Sequence, residues 1–259
     1  MTDQPSPSQG ETPSPTPSST STRPIQYDLP ARIPVVTYIL LAVTVLVYLA
    51  QVLTKQFFGN DIPLILGMKV NELIISGQWW RIFTPIFLHA DITHILFNMY
   101  ALFVFGQRLE RFYGHTRFLA LYILAGLCGN IFSFYFQSNP SLGASTSVFG
   151  LVAAEGIFIY TNRKFFPNAT RALREIIMIV AINLILGFSA QIDNWGHLGG
   201  LLGGFAFAWF AGPLLDVKMT ETGFQITDKH LNQRSMIVTA AEFGLLVILA
   251  GVRIIAIQQ

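Results

Sequence analysis

The chain has 259 residues, 52% of them hydrophobic and 12% charged, with a formal net charge of +2 and one cysteine; its mean hydropathy is +0.52. Soluble domains carry about 25% charged residues, so this balance excludes an ordinary soluble globule, and so few, scattered charges exclude a nucleic-acid-binding stripe. The single Cys128 excludes a disulfide framework and reads as a small buried hydrophobe.

Residues 1–30 are rich in Pro, Ser and Thr without a sizeable apolar run, and are expected to be a disordered tail. No apolar core with a small-residue cleavage site lies there, so the first span is expected to direct insertion itself. Seven apolar runs follow, at about residues 33–54, 93–112, 117–137, 145–162, 172–190, 196–215 and 235–257. Each is close to the ~20 residues that a bilayer core requires. The pattern predicts an all-α polytopic membrane helix bundle in three parts: the tail 1–30, a six-helix core over 31–215, and a linker with a seventh transmembrane helix over 216–259.

Lys and Arg are distributed unevenly between the alternating connections. Arg23, Arg32, Arg108, Arg111, Arg117, Arg163, Lys164, Arg171, Arg174, Lys218, Lys229 and Arg234 fall on one side; Lys55, Lys69, Arg81 and Arg253 fall on the other. The positive-inside rule predicts a cytoplasmic N-terminus and an external C-terminus. Spans two, four and six then run inward from the outside. Their first residues include His94, Ser145 and His197, which this orientation puts at one extracytoplasmic depth.

The first span reads as scaffold. The connection 55–92 has short apolar segments, Ile62–Leu66 and Leu73–Ile75, followed by Trp79, Trp80 and Arg81, and predicts an amphipathic element in the outer interface, where aromatics and Arg concentrate. Next, His94 and Asn98 are four apart and share a helix face. Both can donate hydrogen bonds, as an acyl-transfer site requires at a developing oxyanion, and both could equally serve interhelical bonding. A metal set of His89, Asp91 and His94 is disfavoured, because no His-Glu-x-x-His pattern occurs. Arg108 and Glu110 read as a stabilising polar cluster at the opposite membrane face. Gly126, Gly129, Asn130 and Ser133 in span three read as helix packing.

Span four opens with Gly143-Ala144-Ser145-Thr146-Ser147. A serine hydroxyl is a weak nucleophile unless a base reaches it, and His197 at the head of span six is the candidate base. Glycines 196, 200 and 204 form one stripe behind it and 199 and 203 another, which permits close backbone approach. Ser147, turned about 200° from Ser145 on a helix, is a fallback nucleophile that cannot meet the same histidine. Asp193 stands four before His197, so a triad is possible, but a dyad is the simpler reading. Glu155 lies roughly 15 Å deeper than Ser145 along its helix, where an acid is costly unless paired. It suggests a structural hydrogen bond or, less simply, an ion pathway. The seventh span reads as an appended helix.

With these pieces in place, the chain resembles the rhomboid family of intramembrane serine proteases from about Gly77 through Phe205. The resemblance rests on Trp80-Arg81, His94-Ile95-Leu96-Phe97-Asn98, Gly143-Ala144-Ser145, and His197 with Gly200 and Gly204. It implies a rhomboid-like six-helix core with the seventh helix following it. It further implies Ser145 as nucleophile, His197 as general base, and His94, Asn98 and the Ser145 N–H as the oxyanion site. No metal or organic cofactor is implied. The implied partners are the lipid bilayer and single-pass transmembrane protein substrates, cut in or near an unstable, small-residue segment, since an intact helix shields its own peptide bonds. Two positions depart from the family pattern: Thr146 where glycine is usual and Gly196 where alanine is usual. The β-branched Thr146 restricts the backbone beside the oxyanion site and is expected to lower activity or alter substrate choice.

Two other classes compete with a serine protease. A catalytically silent relative would bind membrane clients, and a small transporter would depend on Glu155 rather than Ser145. Aspartyl and zinc intramembrane proteases lack their residues here. The unsignalled, cysteine-poor chain fits a bacterial plasma membrane best, with an organellar membrane as the alternative.

Overall fold

The computed structural model describes residues 33–188, 192–220, 223–230 and 232–258; the tail 1–30 lies outside the described residues. Helix α1, Val35–Phe58, is followed by two short helices, α2 (Ile62–Gly67) and α3 (Asn71–Ile75), and two 3₁₀ turns. Helix α4, Ile92–Ala101, continues through a π-helical turn at Leu102–Gly106 into α5, Gln107–Tyr113, so the second span is one rod with a bulge in it. Then come α6 (His115–Phe136), α7 (Ser145–Thr161), α8 (Ala169–Leu186), α9 (Asn194–Ala211) and α10 (Asn232–Gln258). The seven apolar runs of the sequence coincide with α1, α4–α5, α6, α7, α8, α9 and α10. Between α9 and α10 the linker forms an antiparallel hairpin, β1 (Leu215–Thr220) with β2 (Gly223–Asp228). Its alternation tucks Leu215 and Ile226 inward. The apolar-run reading gave no sign of this hairpin.

Helices α1, α6 and α10 are long and apolar enough to cross a bilayer, at 24, 22 and 27 residues. Leu46, Leu49 and Leu53 of α1, and Leu245, Ile248 and Val252 of α10, lie exposed on the outside of the bundle. Water does not solvate so continuous a girdle of branched side chains, whereas hydrocarbon does. The protein is an integral membrane protein.

Packing runs opposite to that of a soluble protein. Helices α6 and α7 are buried around most of their circumference, and α9 fits between them on its two glycine stripes. Ideal Cβ atoms at Gly200 and Gly204 would collide with the backbone of Thr146 and Gly150 on α7, whereas those at Gly199 and Gly203 would strike Phe132 and Cys128 on α6. Each stripe therefore serves one neighbour. Helices in lipid gain nothing from hydrophobic exclusion against each other, so such close contact supplies the cohesion. Cys128 is buried against Gly203, as a small hydrophobe would be. Helix α8 has no buried side chain and packs on α7 near Gly156.

The bundle end remote from Ser145 is tied by carboxylates. Glu110 is fully buried and accepts the Val36 and Thr37 amides at 2.8 and 2.7 Å and the Thr37 hydroxyl at 2.6 Å. It thereby caps the first turn of α1 from another helix. Arg117 at the start of α6 holds the hairpin through Asp228 and the His230 carbonyl.

Gly204→Ala should lower the unfolding midpoint in detergent by several degrees, since its methyl meets backbone and overpacking costs about 1–3 kcal/mol or more. Gly244→Ala on α10, with no atom within 4 Å of the added Cβ, should leave the midpoint unchanged or slightly raised, and circular dichroism melts of the two variants make the comparison.

Candidate active site

Ser145 is the first residue of α7 and His197 lies in the first turn of α9. The backbone contact along the glycine stripe brings these two helix starts together, and the Ser145 Oγ lies 2.9 Å from His197 Nε2. The imidazole is buried and stacks on Phe149, with centroids 4.2 Å apart and planes 13° from parallel. Phe149 is four residues after Ser145 and therefore on the same helix face. That spacing was readable in the sequence, though nothing in it indicated which ring Phe149 would support. His197 Nδ1 has no hydrogen-bond partner among the described residues.

Asp193 does not complete a triad. Its Oδ1 accepts the Gly196 amide at 2.9 Å as the N-cap of α9, and its Oδ2 accepts the Ser133 hydroxyl of α6. Behind Ser133 stands Lys69, completely buried. Its ammonium donates to the Ser133 Oγ at 2.9 Å and to the carbonyls of Ser133, Gln137 and Asn139 at 3.2, 2.8 and 3.2 Å. Lys69 also exchanges backbone hydrogen bonds with Ser141, just before α7. One buried cation thus links the loop after α2, the end of α6, the approach to Ser145 and the cap of the His197 helix. By sequence, Lys69 counted simply as an outer-loop charge. Only an all-round view of its acceptors, drawn from positions 64 to 70 residues away, reveals it.

Gly143 has φ +130°, a region that disfavours side chains. The point where its Cβ would sit is 2.7 Å from His94 Nε2 and 3.5 Å from Ser145 Oγ. His94 and Ser145 therefore both adjoin the face of Gly143 that a side chain would otherwise cover. Asn98, one turn along α4, is buried and donates to the His94 carbonyl at 3.1 Å; neither residue hydrogen-bonds Ser145. Asp91 caps α4 by accepting the His94 amide at 2.9 Å. The His89 ring packs edge-on against His94 with centroids 5.0 Å apart. Burial pushes the His89 imidazole down to about 3, with the neighbouring His94 adding to the effect. Among the described residues no group of His, Cys, Asp and Glu could hold a metal ion.

The remaining sequence candidates fall elsewhere. Ser147 is fully buried and faces Gly126 of α6 and Ile86, turned away from His197. Glu155 is buried and accepts from Arg108 at 2.8 Å. The sequence had assigned these two to separate features. Arg81 is buried and donates to the Ile65 and Met68 carbonyls, each at 2.8 Å, closing the end of α2, while Trp79 and Trp80 remain exposed. Thr146 meets Gly196, so the two departures from the family pattern touch each other.

A polytopic helix bundle with a serine and a histidine in contact at the same end defines the class of protein. A family profile described as Rhomboid domain matches residues 76–214, and the chain belongs to the rhomboid family. It is 42% identical over 173 residues to the rhomboid protease GluP of Bacillus subtilis (strain 168), a match covering 66% of this chain and 34% of that protein. It is 34% identical over 159 residues to RHOMBOID-like protein 9, chloroplastic, and 36% over 156 residues to RHOMBOID-like protein 5, both of Arabidopsis thaliana. Those matches cover 61% and 58% of this chain, and 37% and 50% of the relatives. The chain thus spans half or less of the length of these relatives.

Burial pushes the Lys69 ammonium down to about 8, against the opposing pull of the Asp193 and Glu72 carboxylates. Between about pH 8 and its ordinary value of 10.5 the unfolded chain holds this proton while the folded protein releases it, so stability should rise with pH across that window. Below pH 8 the cost of the buried charge is fully present. Lys69→Met should flatten the rise, and denaturant titrations at pH 7.5, 8.5 and 9.5 read it. The same variant leaves the Asn139 carbonyl without its donor and removes a bond to the Ser133 hydroxyl, so it should also lower stability at pH 7.5 by about 1–3 kcal/mol.

Proposed function

We propose that this protein is an intramembrane serine protease working through a Ser145–His197 dyad. The observation that carries the reading is the 2.9 Å contact between Ser145 Oγ and His197 Nε2 at the meeting of two helix starts. Within a membrane domain that contact has a direct chemical use. As Ser145 Oγ adds to a peptide carbonyl carbon, Nε2 takes the hydroxyl proton. The proton then passes to the leaving amine as the C–N bond breaks, and an acyl ester remains on Ser145. Water, deprotonated by the same nitrogen, releases the acyl product and regenerates the hydroxyl.

The developing oxyanion belongs in the space beside Gly143. His94 Nε2 borders that space, and the Ser145 amide, among the unsatisfied N–H groups of the first turn of α7, adds a second donor. Asn98 contributes after its amide turns from the His94 carbonyl. Phe149 fixes the plane of the imidazole by stacking, one part of what a carboxylate does in a triad. The structural pairing of Glu155 with Arg108 removes the motive for an ion pathway, and the intact Ser–His contact argues against a silent, client-binding role.

The proposed substrates are single-pass membrane proteins, opened near a helix-weakening segment so that a peptide bond can reach Ser145. In the orientation set by the Lys and Arg distribution, the dyad faces the extracytoplasmic side of a bacterial plasma membrane. The catalytic unit is 31–215, with α10 appended.

Labelling with a fluorophosphonate in detergent tests the proposal. The wild type should take one equivalent of label. Ser145→Ala and His197→Ala should lose at least about 10³-fold in labelling rate, Ser147→Ala should retain it, and His94→Ala should lose about 10²–10³-fold. A wild type that stays unlabelled beside a reactive rhomboid control overturns it.

A further inference from the structure

The residues adjoining the dyad in sequence are themselves in contact. An ideal Cβ on Gly196, next to His197, would lie 3.1 Å from Thr146 Cγ2, next to Ser145. A Cβ on Gly129 of α6 would fall 2.6 Å from Thr146 Cβ and 2.6 Å from the Gly196 carbonyl. A Cβ on Gly200 would collide with the Thr146 carbonyl oxygen. The Thr146 methyl therefore occupies a notch formed by Gly129 and Gly196, with Gly200 against the Thr146 backbone, at the point where α6, α7 and α9 converge. Its hydroxyl contributes no hydrogen bond: Oγ1 is buried without a partner among the described residues. What the position uses is shape.

We propose that Thr146 is a positioning residue whose methyl, wedged into the Gly129–Gly196 notch, sets the spacing of α7 and α9 and with it the contact of Ser145 with His197. The inference rests on the dyad reading above. Its physical basis is leverage. Thr146 and Gly196 each adjoin a dyad residue on a rigid helix, so a displacement of a few tenths of an ångström at the wedge passes undiminished to the reacting atoms. Interiors packed to this density do not absorb added methyls without moving backbone. The wedge and the missing Cβ at position 196 form a size-matched pair: Thr146 fits because residue 196 is glycine. Alanine at 196 brings its methyl to 3.1 Å from Thr146 Cγ2 and 3.0 Å from the Asp193 carboxylate, so either neighbour must give by a few tenths of an ångström. Removing the Thr146 side chain makes room for that methyl.

The test uses the full chain in detergent and follows fluorophosphonate inactivation at Ser145 together with the thermal midpoint. Thr146→Val keeps the shape and discards an unsatisfied hydroxyl, so it should label within about twofold of wild type at an equal or higher midpoint. Thr146→Ser and Gly196→Ala should each slow the maximal inactivation rate roughly three- to tenfold, the scale expected for sub-ångström misplacement. The probe concentration at half-maximal rate should not change. Thr146→Gly combined with Gly196→Ala should be faster than Gly196→Ala alone and recover its midpoint. Additive single and double variants, or a Thr146→Val as slow as Thr146→Ser, overturn the wedge while leaving the dyad standing. A wild type without label overturns the dyad and the wedge's role with it.

Discussion

The contact between the α7 and α9 backbones governs this structure. The glycines at 200 and 204 remove the side chains that would hold two helices roughly 8–10 Å apart, and carbonyl oxygens of one helix then lie where Cβ atoms of the other would be. In a bilayer this has more consequence than in water, because apolar helices gain nothing by leaving lipid for one another. Close packing must supply the cohesion, and only small residues permit it. The same approach that holds the bundle together lets a serine and a histidine 52 residues apart in sequence share a hydrogen bond.

Polar groups serve the bundle at its two ends in different ways. At the Ser145 end, Lys69, Ser133 and Asp193 form a buried chain that ends on the first turn of α9. A buried ammonium is costly unless its donors are met, and here they are met by three carbonyls and the Ser133 hydroxyl. At the opposite end Glu110 caps α1, and Arg108 neutralises Glu155. Between the two ends the interior is apolar and glycine-rich. The charges therefore fix where helices begin, and the glycines fix how closely they pass.

His197 is held by contacts of a kind that membrane depth favours. A carboxylate on Nδ1 would itself need solvation or a further cation in a low-dielectric site. Phe149 asks for nothing of the kind, and a stacked ring restrains the imidazole plane at no electrostatic cost. Asp193, four residues before His197 in the chain, is engaged in capping the helix. The proposed site is thus two residues carried on helix geometry.

The sequence by itself determined the spans, because hydrocarbon thickness converts directly into run length, and all seven apolar runs correspond to helices. It also placed Ser145, His94 and His197 at the heads of alternating spans, and turned Ser147 away from the histidine, since helical periodicity requires no knowledge of neighbours. The two glycine stripes were visible too, but not that one serves α7 and the other α6. Tertiary structure alone decided the pairings between distant positions: Arg108 with Glu155, Glu110 with the start of α1, Lys69 with its four acceptors, Phe149 with His197, Thr146 with Gly196. It likewise folded the linker into a hairpin held by Arg117. Periodicity is a property of one helix and can be read along the chain. A partner across a helix interface depends on the rotation and offset of two rods, which no local pattern encodes.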